Sequence, residues 1–212
     1  SLAARLKDAA HLNIPVVIGN DGNAAALAEH WQGKLVGTIN SAMIVLGTGV
    51  GAALFLNGTL YTGSHDVSGE PSFMITNGLN PITRAQTAAG LSAVKTVNAM
   101  AAAQHIRGHN LGPRVFKALK PDTPAAAILA TFTQGVAAMI YNMQTVLDLE
   151  KIVIGGGISV QSRVIDEIRE WVATYLQVTP LAARTIKLPE IVAAKYRNDA
   201  NLVGAVVPLV ER

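Results

Sequence analysis

Few side chains in this sequence are placed to do chemistry, and Asp21 comes first among them. It ends an apolar run in "VVIGNDGNAAALAEHW", residues 16 to 31, just before an alanine-rich segment. A carboxylate at such a junction can cap the helix that follows, and it can also accept a proton from a bound alcohol. Glu70 lies in a stretch rich in Gly, Ser, Asn and Pro, where it is either simply solvated or set on a functional loop.

Three glycine-bearing turns follow strand-like runs. In "LGTGVGAAL", residues 46 to 54, Gly47, Gly49 and Gly51 surround Thr48. Such a backbone can approach a ligand closely and form an anion nest, although a close crossing of strands explains the same residues. It is not a P-loop, since no Lys-Ser/Thr follows, and not a dinucleotide fingerprint, since a strand follows rather than a helix. "IVIGGGIS", residues 152 to 159, sets Gly155, Gly156 and Gly157 between a strand and a helix. That is a place to hold part of a nucleotide, or just a tight turn. In "YRNDANLVGA", residues 196 to 205, a capping role explains Asp199. His105 and His109 have the i,i+4 spacing of a helical metal site, but no third ligand is evident, so an exposed helix end is the better reading. No Ser-His-Asp or Cys-His arrangement suggests itself.

The composition supports a folded domain. Of 212 residues, 50% are hydrophobic and 15% charged, enough for one large domain with a substantial core and against disorder. The net charge is +3 with Lys and Arg scattered, which argues against nucleic-acid binding. There are no cysteines, so disulfides and thiolate zinc sites are excluded, and a cytoplasmic location is expected. Nothing near Ser1 reads as a signal peptide. Thr123 to Leu147 carries no charge and is long enough to span a bilayer, for which about 20 residues suffice. Its Pro124, Thr131, Thr133, Gln134, Asn142, Gln144 and Thr145 favour a buried helix in a core, with no membrane.

The elements that must position these residues follow from periodicity. Leu2 to Leu12 reads as a helix, Ile14 to Gly19 as a buried strand, and Gly22 to Trp31 as a helix. Ser41 to Gly47 is a strand, and Ala52 to Tyr61 a hairpin turning at Asn57-Gly58, residues that tolerate positive φ. Gly63 to Arg84 reads as a long irregular loop. Helices are expected from about Gln86 to Ala103, near Pro113 to Leu119, over the uncharged segment, and from Ser162 to Leu176. Strands are expected at Lys151 to Gly157 and Glu190 to Lys195, and a last helix at Ala200 to Val210. This order suggests a mixed α/β domain.

Taken in order, "NDGNAAALAEHW", "VLGTGVGAALFLNGTLYTG", "SGE", "IVIGGGIS" and "NDANLVGA" resemble the ROK family of sugar kinases and sugar-responsive repressors. The resemblance covers nearly the whole chain and is weakest between Pro71 and Leu119. It implies an α/β fold, the actin-like (ribonuclease H-like) ATPase lobe, with a mixed sheet and flanking helices. Residues 1–212 would form one lobe, with 1–20 belonging to the interdomain crossover. It also implies roles. Asp21 matches the general base that accepts the proton of the attacking sugar hydroxyl. Asn20 and Glu70, with Asp21, match sugar-binding residues. Gly47, Thr48, Gly49 and Gly51 match a phosphate-binding loop, and Gly155, Gly156 and Gly157 the adenosine-side loop. ATP and Mg²⁺ are implied, with a small sugar as acceptor and a homodimer as the assembly.

The sequence also departs from the family pattern. The family's opening Asp-x-Gly-Gly-Thr turn is absent, so an N-terminal lobe of roughly a hundred residues is expected to be missing and the isolated chain to be inactive. The family's Glu-x-Gly-His segment, with its cysteine-rich zinc loop, reads "EPSFM" here. Phe73 stands at the histidine position, so no structural zinc and a reshaped sugar pocket are expected. A second family carboxylate, near Gln86, has no clear counterpart. The expected activity is ATP-dependent phosphorylation of a sugar hydroxyl, on a hexose or glucoside. The alternatives are the sugar-sensing domain of a repressor and a noncatalytic oligomerisation lobe.

Overall fold

The structure is a computed structural model that describes residues 2–11, 14–77 and 86–210. Its elements run α1 (Leu2–Ala9), α2 (Asp21–Gln32), β1 (Ser41–Leu46), β2 (Val50–Leu56), β3 (Thr59–Tyr61), β4 (Ile75–Asn77), β5 (Gln86–Thr87), α3 (Ala93–Ala103), α4 (Leu111–Lys117), α5 (Pro124–Leu147), β6 (Lys151–Gly155), α6 (Ser162–Leu176), α7 (Pro180–Thr185), β7 (Glu190–Ala193) and α8 (Ala200–Val210). Five strands form one sheet in the order β3-β2-β1-β6-β7. β1 to β3 are an antiparallel meander, while β6 and β7 run parallel to β1.

Alternation along the strands builds a core on each face. Ala42, Ile44, Leu46, Ala52, Leu54, Ile152 and Ile154 meet Met100 of α3, Leu129 of α5 and Ile168 of α6. Met43, Ala53, Phe55 and Val153 point the other way, onto Ala25 and Ala26 of α2 and Ala200 of α8. Each buried Ile contributes about 2 kcal/mol. A one-residue slip would move all of them to the wrong face, so burial fixes the register.

The hairpin forms as its sequence predicts, with Asn57 at φ 54° and Gly58 at φ 73°, the conformation of a type I′ turn. The uncharged helix α5 starts at Pro124, where the Thr123 side chain accepts the Ala126 N–H. Among the described residues, α5 alone is long and apolar enough to cross a membrane, and half of that window is buried. Its buried polar groups are satisfied internally. Gln144 donates to the Lys187 carbonyl (2.8 Å) and accepts the Leu149 N–H (3.0 Å), which removes most of the cost of burying an amide.

Several elements differ from the sequence reading. Ile14 to Gly19 is not a strand: it pairs with no described residue, and Ile14, Val17 and Ile18 are 57%, 51% and 48% exposed. A β-branched run supplies strand preference but no hydrogen-bonding partner. The helix expected from Gln86 starts at Ala93, because the Ser92 side chain accepts the Lys95 N–H and Gln86–Thr87 pairs with β4 instead. The loop from Gly63 holds a 3-10 turn, Pro71–Phe73, and β4, while its residues 78–84 lie outside the described ones. α7 went unread, although Thr179 caps it with Pro180 as its first residue, a recognisable start signal.

Candidate active site

The N-terminus of α2 settles the roles of two neighbours. Asn20, not Asp21, is the cap: its Oδ1 accepts the Asn23 N–H at 3.1 Å. The capping role expected for Asp21 is thereby corrected. Asp21 is the first helical residue, exposed, and its Oδ1 accepts the Gly22 N–H at 2.8 Å. Asn20 takes the Asn23 N–H and Asp21 the Gly22 N–H, which leaves the exposed Asp21 carboxylate at the positive end of the helix dipole with one oxygen unengaged by these bonds.

α2 is held from behind. Glu29, fully buried, accepts the Lys34 N–H on Oε2 (2.8 Å) and the Tyr196 N–H on Oε1 (2.9 Å). It joins α2 to the chain after it and to the entry of α8. No salt bridge among the described residues involves it, so backbone donors meet the demand of this buried carboxylate.

The turn between β1 and β2 is braced on both sides. The Gly47 N–H donates to the Gly49 carbonyl (3.0 Å), and the Gly47 carbonyl accepts the Val94 N–H (3.3 Å) near the start of α3. Thr48 is exposed at the tip. The Glu70 segment lies along β2: the Ala52 N–H donates to the Gly69 carbonyl at 2.8 Å. Gly69 has φ +83°, and a Cβ there would stand 2.2 Å from the Ala52 oxygen, so only glycine fits. Glu70 is exposed and precedes the 3-10 turn without capping it.

These segments converge on one cleft of about 320 Å³, lined by Asn20, Asp21, Gly47, Thr48, Gly49, Gly51 and Glu70, with Ser72 and Asn201 among its other walls. A second cleft of about 650 Å³ shares Gly47 with the first and is lined by Val94, Val97, Phe116, Gly157, Ile158 and Arg197. The glycine triplet divides its work. Gly157 faces this second cleft. A Cβ on Gly155 would lie 2.7 Å from Met43 Cε, and one on Gly156, at φ +90°, 2.1 Å from the Leu46 oxygen. Those two glycines admit β1 closely and do not line the cleft.

Three lining residues went unread. Ser72 sits within "EPSFM", where Phe73 is the visible departure from the family pattern. Asn201 is in the first turn of α8, two residues past Asp199. Arg197 has φ +51°, a conformation that residue type does not announce. The histidine pair is no helical site, since α3 ends at Ala103 and His105 has φ +58°. Among the described residues no group of three or more His, Cys, Asp or Glu could hold a metal ion. Asp199, exposed, closes the 3-10 turn Arg197–Asp199 ahead of α8.

The chain is 29% identical over 205 residues to a β-glucoside kinase of Klebsiella pneumoniae, covering 91% of this chain and 63% of that protein. It thus spans slightly less than two thirds of that relative's length. Among solved structures it resembles a ROK family protein of Streptococcus pneumoniae in complex with sucrose, with a TM-score of 0.83 at 25% identity, covering 100% of this chain and 70% of the other. It also shares its fold with a ROK family glucokinase of Streptomyces griseus in complex with glucose and AMPPNP (TM-score 0.77, 22% identity, 96% of this chain and 70% of the other). The fold is accordingly the actin-like ATPase lobe, a mixed sheet with flanking helices. The ROK family profile matches residues 2–211, and the chain belongs to that family.

Proposed function

We propose that this protein, in its full length, phosphorylates a sugar hydroxyl with ATP. The observation that carries the reading is the meeting of Asp21, Glu70 and the Gly47–Gly51 turn in one cleft that shares Gly47 with a second. The sugar sits in the first cleft, held by Asn20 and Glu70. Asn20 Oδ1 is engaged by Asn23, so its amide NH₂ is the group left for a sugar oxygen. The γ-phosphate lies over Thr48 and the glycines beside it. Adenosine occupies the second cleft, whose Val94, Val97, Phe116 and Ile158 suit a purine. Gly157 lets it approach.

In the reaction the sugar oxygen forms a bond to the γ-phosphorus as the bond to the bridging β–γ oxygen breaks. The hydroxyl proton passes to the Asp21 carboxylate, and ADP leaves. Positioning and backbone donors lower much of the remaining barrier. Mg²⁺ requires only one or two carboxylates when phosphates supply the other ligands. A bound Mg²⁺ would be held chiefly by the ATP phosphates and water and would neutralise phosphate charge, leaving Asp21 to accept the proton and Glu70 to hold the sugar.

β-Glucosides and glucose lead the acceptor panel, because proteins similar to this chain are named for acting on or binding them. Residues 1–212 alone are expected to transfer no phosphate, since the sequence holds no Asp-x-Gly-Gly-Thr turn. A homodimer is the expected assembly, checked by sedimentation. The experiment is an ATP-coupled assay of the full-length protein over hexoses, amino sugars and glucosides. Transfer to at least one is expected. Tight sugar binding with no transfer to any would favour a sugar-sensing domain instead.

A further inference from the structure

We propose that Ser72 is a positioning residue that fixes Glu70 relative to the glycine turn, an inference that rests on the sugar kinase reading. β3 covers only Leu54 to Leu56 of its neighbour β2. Ahead of that, segment 69–72 takes the place of a strand. The Ala52 N–H donates to the Gly69 carbonyl (2.8 Å), and two residues earlier the Val50 N–H donates to Ser72 Oγ (3.1 Å). The Ser72 hydroxyl returns a bond to the Val50 carbonyl at 2.6 Å. Val50 and Ala52, two apart, present their hydrogen-bonding groups to the same edge, so the serine side chain replaces the backbone of a missing strand residue. Glu70 lies between these two anchors.

The same hydroxyl reaches the glycine turn. A Cβ on Gly49 would lie 3.3 Å from Ser72 Oγ, and Gly49 directly precedes Val50. Ser72 itself lines the cleft and is half-buried. One oxygen thus joins the loop bearing a sugar-binding carboxylate to the turn over which phosphate must sit. Both bonds of the hydroxyl go to Val50, so removing it releases the anchor that follows Glu70.

The test is a double-mutant cycle in the full-length protein, with Ser72→Ala, Glu70→Gln and the pair, using the acceptor that the panel identifies. Ser72→Ala is expected to raise the sugar KM about tenfold, as loss of two hydrogen bonds allows. In the Glu70→Gln background it should add less than about twofold, because the group it positions is already impaired. An unchanged sugar KM, or an equal fold-change in both backgrounds, overturns the inference while an active wild type leaves the kinase reading standing. A wild type that phosphorylates nothing overturns the reading and the inference together. One measurement needs no variant: saturating sugar should slow amide exchange at Val50 in the wild type about tenfold, as an ordered Glu70 loop tightens its anchor. Equal exchange with and without sugar would refute the positioning role.

Discussion

Gly204 of α8 lies against the backbone of Ala24 in α2, so closely that a Cβ on Gly204 would stand 1.6 Å from the Ala24 carbonyl oxygen. The helix that begins with Asp21 and the helix that brings Asn201 to the same cleft therefore touch backbone to backbone. No side chain can yield there. Gly204→Ala must push the helices apart, and about 3 kcal/mol of stability should be lost, at the upper end for overpacking. Thermal unfolding would show a Tm lowered by roughly 6–12 °C, the usual scaling for a domain of this size.

Glu29 should be intolerant even of its isostere. Glu29→Gln turns one oxygen, now facing a backbone donor, into an NH₂ group, and should cost about 2 kcal/mol. Glu29→Ala leaves both the Lys34 and Tyr196 N–H groups without their acceptor and should cost more. Urea unfolding of both variants measures the two losses directly.

The glycine triplet should split by position. Gly156→Ala places a Cβ 2.1 Å from the Leu46 oxygen at φ +90° and should lower the Tm sharply. Gly157 has nothing within 4 Å of its added Cβ. Gly157→Leu should therefore keep the Tm and raise the KM for ATP, because the side chain enters the second cleft. Melting curves beside ATP titrations separate the outcomes.

Asn20 has two jobs that chemistry can divide. Asn20→Asp keeps an acceptor for the Asn23 N–H and so keeps the cap, but has no NH₂ group. It should preserve the Tm and raise the sugar KM. Asn20→Ala loses both, at about 1 kcal/mol for the cap. Equal sugar KM values for Asn20→Asp and wild type would remove Asn20 from the sugar site.

Much of the scaffold was legible because its signals are local. Asn57-Gly58 announces its own turn, and the continuous apolar runs at Ser41 and Lys151 suit strands buried on both faces. Where a partner decides, the sequence was silent. Ile14 to Gly19 has strand composition but no described strand to pair with. Asn20 and Asp21 are both good caps, and only the folded geometry shows which one turns back to Asn23. Ser72 was unreadable for the same reason: its hydroxyl meets Val50, 22 positions earlier. The candidate site itself was readable as an ordered set of motifs, whereas the different tasks of Gly155, Gly156 and Gly157 depend on how closely β1 approaches.

The most direct test of the account is the turnover of Asp21→Asn in the full-length protein. Asn keeps the size and helical position of Asp21 but is a far weaker base. The account predicts that kcat falls about 10²- to 10⁴-fold, the usual worth of general base catalysis, while the sugar KM changes less than about threefold. A near-normal kcat would contradict it and remove Asp21 as the proton acceptor.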